Sequence, residues 1–251
     1  MILAVDVGNT VTRVAVFGRE GMEWCGRVPT DCTGLPGSLG RLLQEAPGLE
    51  EVQVAGVCSV VPKVDPDLRT LIREMGLQVL EIRPGLSADI RVGYTMPEEL
   101  GVDRYANAAA AYHRYGGPVA VVDVGTALTM EIVDERGVLW GGPIFPGPEV
   151  ALRGLGEHAA RLQGRLPDAA GPMLASSTAE GISAGVAHGY PALVEGLISR
   201  ARDAVSVPLP VILTGGGGSR LQGQVAGIAE RIPHLTLEGI ALLAGNRSPA
   251  P

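Results

Sequence analysis

A twelve-residue pattern occurs twice in this chain, and no other feature limits its fold as strongly. Residues 5–16 read VDVGNTVTRVAV and residues 122–133 read VDVGTALTMEIV, with six of the twelve positions identical. In each copy an apolar run reaches Asp-Val-Gly, bends over small residues and leaves as a second run, which predicts a β-hairpin with glycine at the bend. Apolar-Asp-Gly alone is common turn chemistry. Six identities in register, with the chain divided almost evenly between the copies, go beyond it and predict two homologous halves, 1–115 and 116–251.

Between the hairpins, strand and helix patterns alternate. The first half predicts helices over 35–46, 66–75 and 104–115 and strands over 52–58 and 78–82. The second predicts strands over 119–123, 127–134, 138–140 and 210–213 and a helical tract over 178–205 that Pro191 should kink. Ser219 is placed to cap a helix after the glycine run 215–218. Residues are 46% hydrophobic yet only 4% aromatic, so the core must be built from Val, Leu, Ile and Ala. An α/β protein follows.

A net charge of −7 gives no electrostatic footprint for nucleic acid or an anionic membrane, so a polyanionic ligand must be held locally. Cys25, Cys32 and Cys58 show no CxxC spacing and no nearby histidine pair, and read as reduced thiols. The N-terminus enters a strand pattern directly and no apolar run is long enough to span a bilayer, so a cytoplasmic protein is expected.

The hairpins carry chemistry. Glycine lets backbone N–H groups approach phosphate oxygens, small hydroxyl and amide side chains add donors, and an aspartate at the strand end suits a hydrated cation. The first device is Asp6, Val7, Gly8, Asn9, Thr10, Val11, Thr12 and Arg13; the second holds Asp123, Gly125 and Thr126. No GxxxxGK[ST] motif is present, which excludes a P-loop. Gly215 and Gly216, between the apolar run 210–213 and a helix, leave room for an adenosine on the backbone. Two such hairpins and a late strand-Gly-Gly turn are the pattern of the actin, sugar kinase and heat-shock ATPase superfamily. It implies duplicated ribonuclease-H-like halves facing across a nucleotide cleft.

Within that superfamily the chain resembles the type III pantothenate kinases over essentially its whole length. The resemblance rests on DVGNT at 6–10, GVDR at 101–104, DVGTALT at 123–129, GGPIFPG at 141–147 and Ser177-Thr178. The sequence departs from the family pattern at Glu131, where an aspartate is usual, and at Ser177, where an asparagine is usual.

The resemblance implies ATP-dependent phosphorylation of pantothenate, the first step toward coenzyme A. It gives Asp103 the role of catalytic base and places Tyr94, Gly101, Val102, Arg104 and Thr178 at the substrate, with Arg104 suited to the pantothenate carboxylate. Asp6 is expected to orient magnesium through water, Asp123 to hold potassium or ammonium, and Thr126 to touch ATP phosphate. Pro143 to Pro148 is expected to wall the substrate pocket. A homodimer is also implied. Asp103 and Thr178 have a plainer reading as helix caps. Two other functions remain open at this stage: a kinase of the same fold acting on a sugar or another acid, and a non-catalytic nucleotide-dependent regulator.

Overall fold

The computed structural model describes residues 1–87, 89–159, 161–162, 171–205 and 207–245. The chain begins with β1 (Ile2–Val7), β2 (Val11–Gly18), β3 (Gly21–Pro29), α1 (Leu35–Gln44), β4 (Val54–Ser59), α2 (Asp65–Glu74) and β5 (Gln78–Glu81). It continues through β6 (Arg91–Val92), α3 (Val102–Tyr115), β7 (Val119–Val124), β8 (Ala127–Val133), β9 (Val138–Gly141), β10 (Ile144–Pro146) and α4 (Pro148–His158). It ends with α5 (Thr178–Val205), β11 (Val211–Thr214), α6 (Gly218–Leu221), β12 (Glu230–Arg231) and α7 (Leu235–Gly245). Among the described residues no helix is long and apolar enough to cross a membrane.

Two compact units form. Of the described residues, those within 1–116, 137–141 and 234–245 make the first, and those within 117–136 and 142–233 the second. A single cut near residue 115 therefore does not describe the units, because β9 and α7 belong with the first. The reason lies in α7, LTLEGIALLAG, whose apolar surface runs around most of the helix. Such a helix must be buried on several sides, and it packs between α3 and strands β1 and β4.

In the first unit the sheet order is β3-β2-β1-β4-β5, with β1–β2 and β2–β3 antiparallel and β1–β4 and β4–β5 parallel. Alternation divides β1 between two faces. Leu3, Val5 and Val7 join a core with Leu35, Leu39 and Leu43 of α1 and Leu68 and Ile72 of α2. Ala4 and Asp6 fall on the opposite face, which α7 covers. A Cβ at Gly56, opposite Ala4 in β4, would come within 2.8 Å of Ile240.

The second unit repeats part of this order strand for strand. Its strands run β8-β7-β11-β12, with β7–β8 antiparallel and β11 parallel to both β7 and β12. They match β2-β1-β4-β5, as a duplicated fold requires. Tyr190, Val194, Ile198 and Ala201 of α5 close the core over Val122, Val124, Leu128, Val211 and Leu213. The helix α5 continues through Pro191 as one element. β10 adds to β8, while β6 and β9 pair in the first unit.

The two hairpins differ by one residue. Val7 pairs with Thr12 across four intervening residues, whereas Val124 pairs with Leu128 across three. Asp6 therefore stands opposite Arg13, but Asp123 stands opposite Thr129. A one-residue slip exchanges the faces of the returning strand. Thr12 and Thr129, identical in the repeat, thus hold different positions relative to their aspartates.

Candidate active site

In the first unit, Asp6 ends β1 in a nearly buried position, 6% exposed, and Arg13 Nη1 reaches its Oδ2 at 3.5 Å from the opposing strand. The bend is closed by Gly8 N donating to Val11 O at 3.2 Å, leaving Asn9 and Thr10 exposed. Beside Asp6 in the parallel ladder lies Cys58, completely buried. Burial drives the Cys58 thiol far above its ordinary pKa, and the negative charges of Asp6 and Asp103 raise it further. The start of α3 thus brings Asp103 within the electrostatic reach of Cys58, on the Asp6 face of the sheet.

The segment Gly101-Val102-Asp103-Arg104 is shaped by its glycine. Asp103 Oδ1 folds back to accept from Arg104 N at 2.9 Å, and a Cβ at Gly101 would stand 2.6 Å from that oxygen. Arg104 is 7% exposed, and its Nη1 donates to Tyr94 Oη at 3.0 Å. Asp103, Arg104 and Tyr94 come together in one unit, the carboxylate folded onto the Arg104 backbone N–H and the guanidinium held by the Tyr94 hydroxyl.

In the second unit, β11 lies parallel to β7 with Thr214 level with Asp123, so the glycine turn begins beside the second hairpin. Gly215 takes φ +84°, and the space where its side chain would stand is bounded by Asp123 Oδ1 and by the Val124 amide and carbonyl. Gly217 N donates to Val124 O at 2.8 Å. The FPG end of the GGPIFPG segment meets the same hairpin: Pro146 pairs with Ala127, and Gly147 N donates to Thr126 O at 2.9 Å. A Cβ at Gly147 would overlap the carbonyls of Gly125 and Thr126. Gly147, the end of the GGPIFPG segment, thus packs directly against the second bend, where only a glycine fits; its signal in the sequence is a glycine between two prolines.

Two capping assignments change. Ser219 does not cap α6, which starts after Gly217 without a side-chain cap; its hydroxyl reaches Gly216 O at 3.5 Å from inside the turn. At α5 the cap is Ser177, whose Oγ accepts from Glu180 N at 3.2 Å. Glu180 Oε2 in turn accepts from Ser176 N and Oγ at 2.7 and 2.8 Å. Ser177, in the place of the family's asparagine, does a job that serine and asparagine do about equally well. Thr178 is left exposed at the helix start, clear of capping. Glu131, the other departure, is completely buried on β8.

The residues fit hard cations. Asp6 and Asp123 offer carboxylate oxygens, and Asp123 Oδ1 shares its space with the Val124 carbonyl. Among the described residues no three His, Cys, Asp or Glu side chains gather as a metal-binding group. A cation at either aspartate would take its remaining oxygens from backbone, water and phosphate, as magnesium usually does.

A strand order repeated in two units, each with an aspartate leading into a glycine bend, defines the duplicated α/β class that includes the sugar kinases. Solved structures agree on the fold. A glucokinase from Streptomyces griseus, bound to glucose and AMPPNP, aligns with TM-score 0.56 at 13% identity over 98% of this chain and 99% of its own. A Campylobacter jejuni protein named for the Baf family of transcriptional activators aligns with TM-score 0.60 at 18% identity, covering 96% of both chains. The family lies closer in sequence. The profile of the type III pantothenate kinases matches residues 2–200. Curated type III pantothenate kinases from Frankia alni and Agathobacter rectalis are 34% and 32% identical, over 97% of this chain and 98% and 96% of theirs. The chain belongs to the type III pantothenate kinase family.

Proposed function

We propose that the protein transfers the γ-phosphoryl group of ATP to the primary hydroxyl of pantothenate, giving 4′-phosphopantothenate and ADP. The observation that carries this reading is the grouping of Asp103, Arg104 and Tyr94 at the start of α3 in a chain of this family. The acceptor oxygen bonds to the γ-phosphorus, the bond to the bridging β,γ-oxygen breaks, and the acceptor proton passes to the Asp103 carboxylate. Arg104, held by Tyr94, pairs with the pantothenate carboxylate, with Gly101 and Val102 forming the loop around it and Thr178 adding a hydroxyl.

The first hairpin binds ATP phosphates through the backbone of 7–12 and through Asn9, Thr10 and Arg13. In the second unit, Thr126 serves ATP phosphate and the Gly215-Gly216 turn the adenosine. Asp6 would hold magnesium through water and Asp123 a potassium or ammonium ion; bound there, the cations neutralise charge on the transferring group. The protein acts as a cytoplasmic homodimer. The exposed apolar residues Ile144, Phe145, Met173 and Leu174 support a dimer, and exposed Cys25 and Cys32 suit a reducing compartment.

The test is ADP release from magnesium-ATP with a panel of acceptors. Release driven by pantothenate, and not by hexoses or other hydroxy acids, is the expected result. Release driven by a sugar alone contradicts the proposal.

A further inference from the structure

Tyr94 reaches Arg104 across a space that a neighbouring side chain would otherwise fill. β6 and β9 run parallel with Arg91 level with Val138 and Val92 level with Leu139, and Gly93 N continues the ladder by donating to Leu139 O at 2.8 Å. Two residues beyond the last pair, this register brings Tyr94 level with Gly141. Level residues of adjacent strands project to the same face. The Tyr94 ring accordingly lies where a side chain at 141 would stand: a Cβ there would overlap the Tyr94 hydroxyl and fall 2.6 Å from Cε1 and 2.8 Å from Cζ. Gly141 also takes φ +71°, a backbone that L side chains rarely adopt. Its neighbour Gly93 is packed as tightly, with a Cβ there 2.9 Å from Val138 and Trp140.

We infer that Gly141 is a positioning residue for the acceptor site, its missing side chain seating the Tyr94 ring so that Oη holds the Arg104 guanidinium. The inference rests on the reading of Arg104 as the acceptor-carboxylate ligand. Arg104 is buried at 7% exposure, so a rotated guanidinium has little room for a second productive orientation. Without the Tyr94 hydrogen bond, a planar donor set loses the angle needed for two-point contact with a carboxylate. Asp103 and both phosphate bends are untouched, so the loss falls on acceptor binding.

Steady-state kinetics of Gly141→Ala, Tyr94→Phe, Tyr94→Ala and the double variant Gly141→Ala/Tyr94→Ala test this, with Gly76→Ala as a control. Gly76 has φ +78° and open space around it, so that variant carries backbone strain without touching the site. Gly141→Ala and Tyr94→Phe are each expected to raise KM for pantothenate about tenfold, the worth of a hydrogen bond to a charged group. KM for ATP should stay unchanged, and Gly76→Ala should lose stability alone. With the ring removed, Gly141→Ala should add nothing to the KM of Tyr94→Ala; this pair also answers if the single Gly141 variant does not fold. If Tyr94→Phe raises KM and Gly141→Ala does not, or if Gly141→Ala raises KM equally with and without the ring, the role of Gly141 is overturned. If neither Tyr94 variant changes KM for pantothenate while wild type turns it over, the Arg104 reading fails and the inference falls with it.

Discussion

Asp6 and Cys58 share one rung of the parallel ladder between β1 and β4. The Asp6 carboxylate therefore has a buried neutral thiol as its lateral neighbour, and the Asp103 charge acts on the same thiol. Folding favours the protonated thiol. Its contribution to stability is complete below the ordinary thiol value near 8.5 and is lost as pH rises toward the raised folded value.

Alkylation followed by mass spectrometry checks this. At pH 8, iodoacetamide should modify exposed Cys25 and Cys32 and leave Cys58 intact until the protein is unfolded. Cys58→Asp, which adds a third acidic group beside Asp6 and Asp103, should fail to fold or lose magnesium-ATP binding, while Cys58→Ser should keep activity within about threefold. Rapid modification of native Cys58 contradicts the burial of this rung.

The join between α3 and α7 gives a second prediction. Gly239 packs so close to Ala106 that a Cβ would overlap its carbonyl oxygen, and Thr236 Oγ1 donates to Asn107 Oδ1 at 2.8 Å. Gly239→Ala should destabilise the protein by about 1–3 kcal/mol through overpacking, read as a lower urea midpoint. Thr236→Val, which leaves Asn107 without that donor, should cost about 1 kcal/mol.

Much of this architecture is legible in the sequence, and the exceptions have physical causes. α2 and α5 follow from periodicity because each has one buried face, whereas β1, β4 and β7 are legible as near-continuous apolar runs buried on both faces and α3 as an alanine-rich helix. α7 escapes a periodicity search because it is apolar on nearly all sides, so no polar stripe marks its phase. β3 alternates, but Gly26 and Pro29 weaken its strand signal. The slip between Thr12 and Thr129 is invisible in an ungapped repeat, since turn length, set by backbone bonds at Gly8 and Gly125, decides the register. Asp103, Arg104 and Tyr94 are legible as a resemblance, whereas the fit of Tyr94 over Gly141 needs the β6–β9 register.

The Ser177 cap supplies a third prediction. Ser177→Ala should cost about 1 kcal/mol, while Ser177→Asn should cost almost nothing, each measured by chemical denaturation. The Ser176 backbone N–H, and then its hydroxyl, hold Glu180 below the usual carboxylate range. The support from that group is present above the ordinary Glu value and is lost as pH falls through the depressed one.

Asp123 makes the cation dependence testable. Activity should be higher in potassium or ammonium than in sodium, and Asp123→Ala should remove the difference along with most of the rate. Equal rates of wild type in sodium-only and potassium-only buffers contradict the role given to Asp123.

The measurement that bears most directly on the proposed chemistry is single-turnover phosphoryl transfer by Asp103→Asn. Asparagine keeps the shape of the side chain and caps a helix about as well as aspartate, but it cannot take the acceptor proton. If Asp103 is the base, the variant should bind ATP and pantothenate normally while its transfer rate falls about 10²- to 10⁴-fold. A variant that binds both substrates and transfers within about threefold of wild type, well short of the general-base range, would contradict the account.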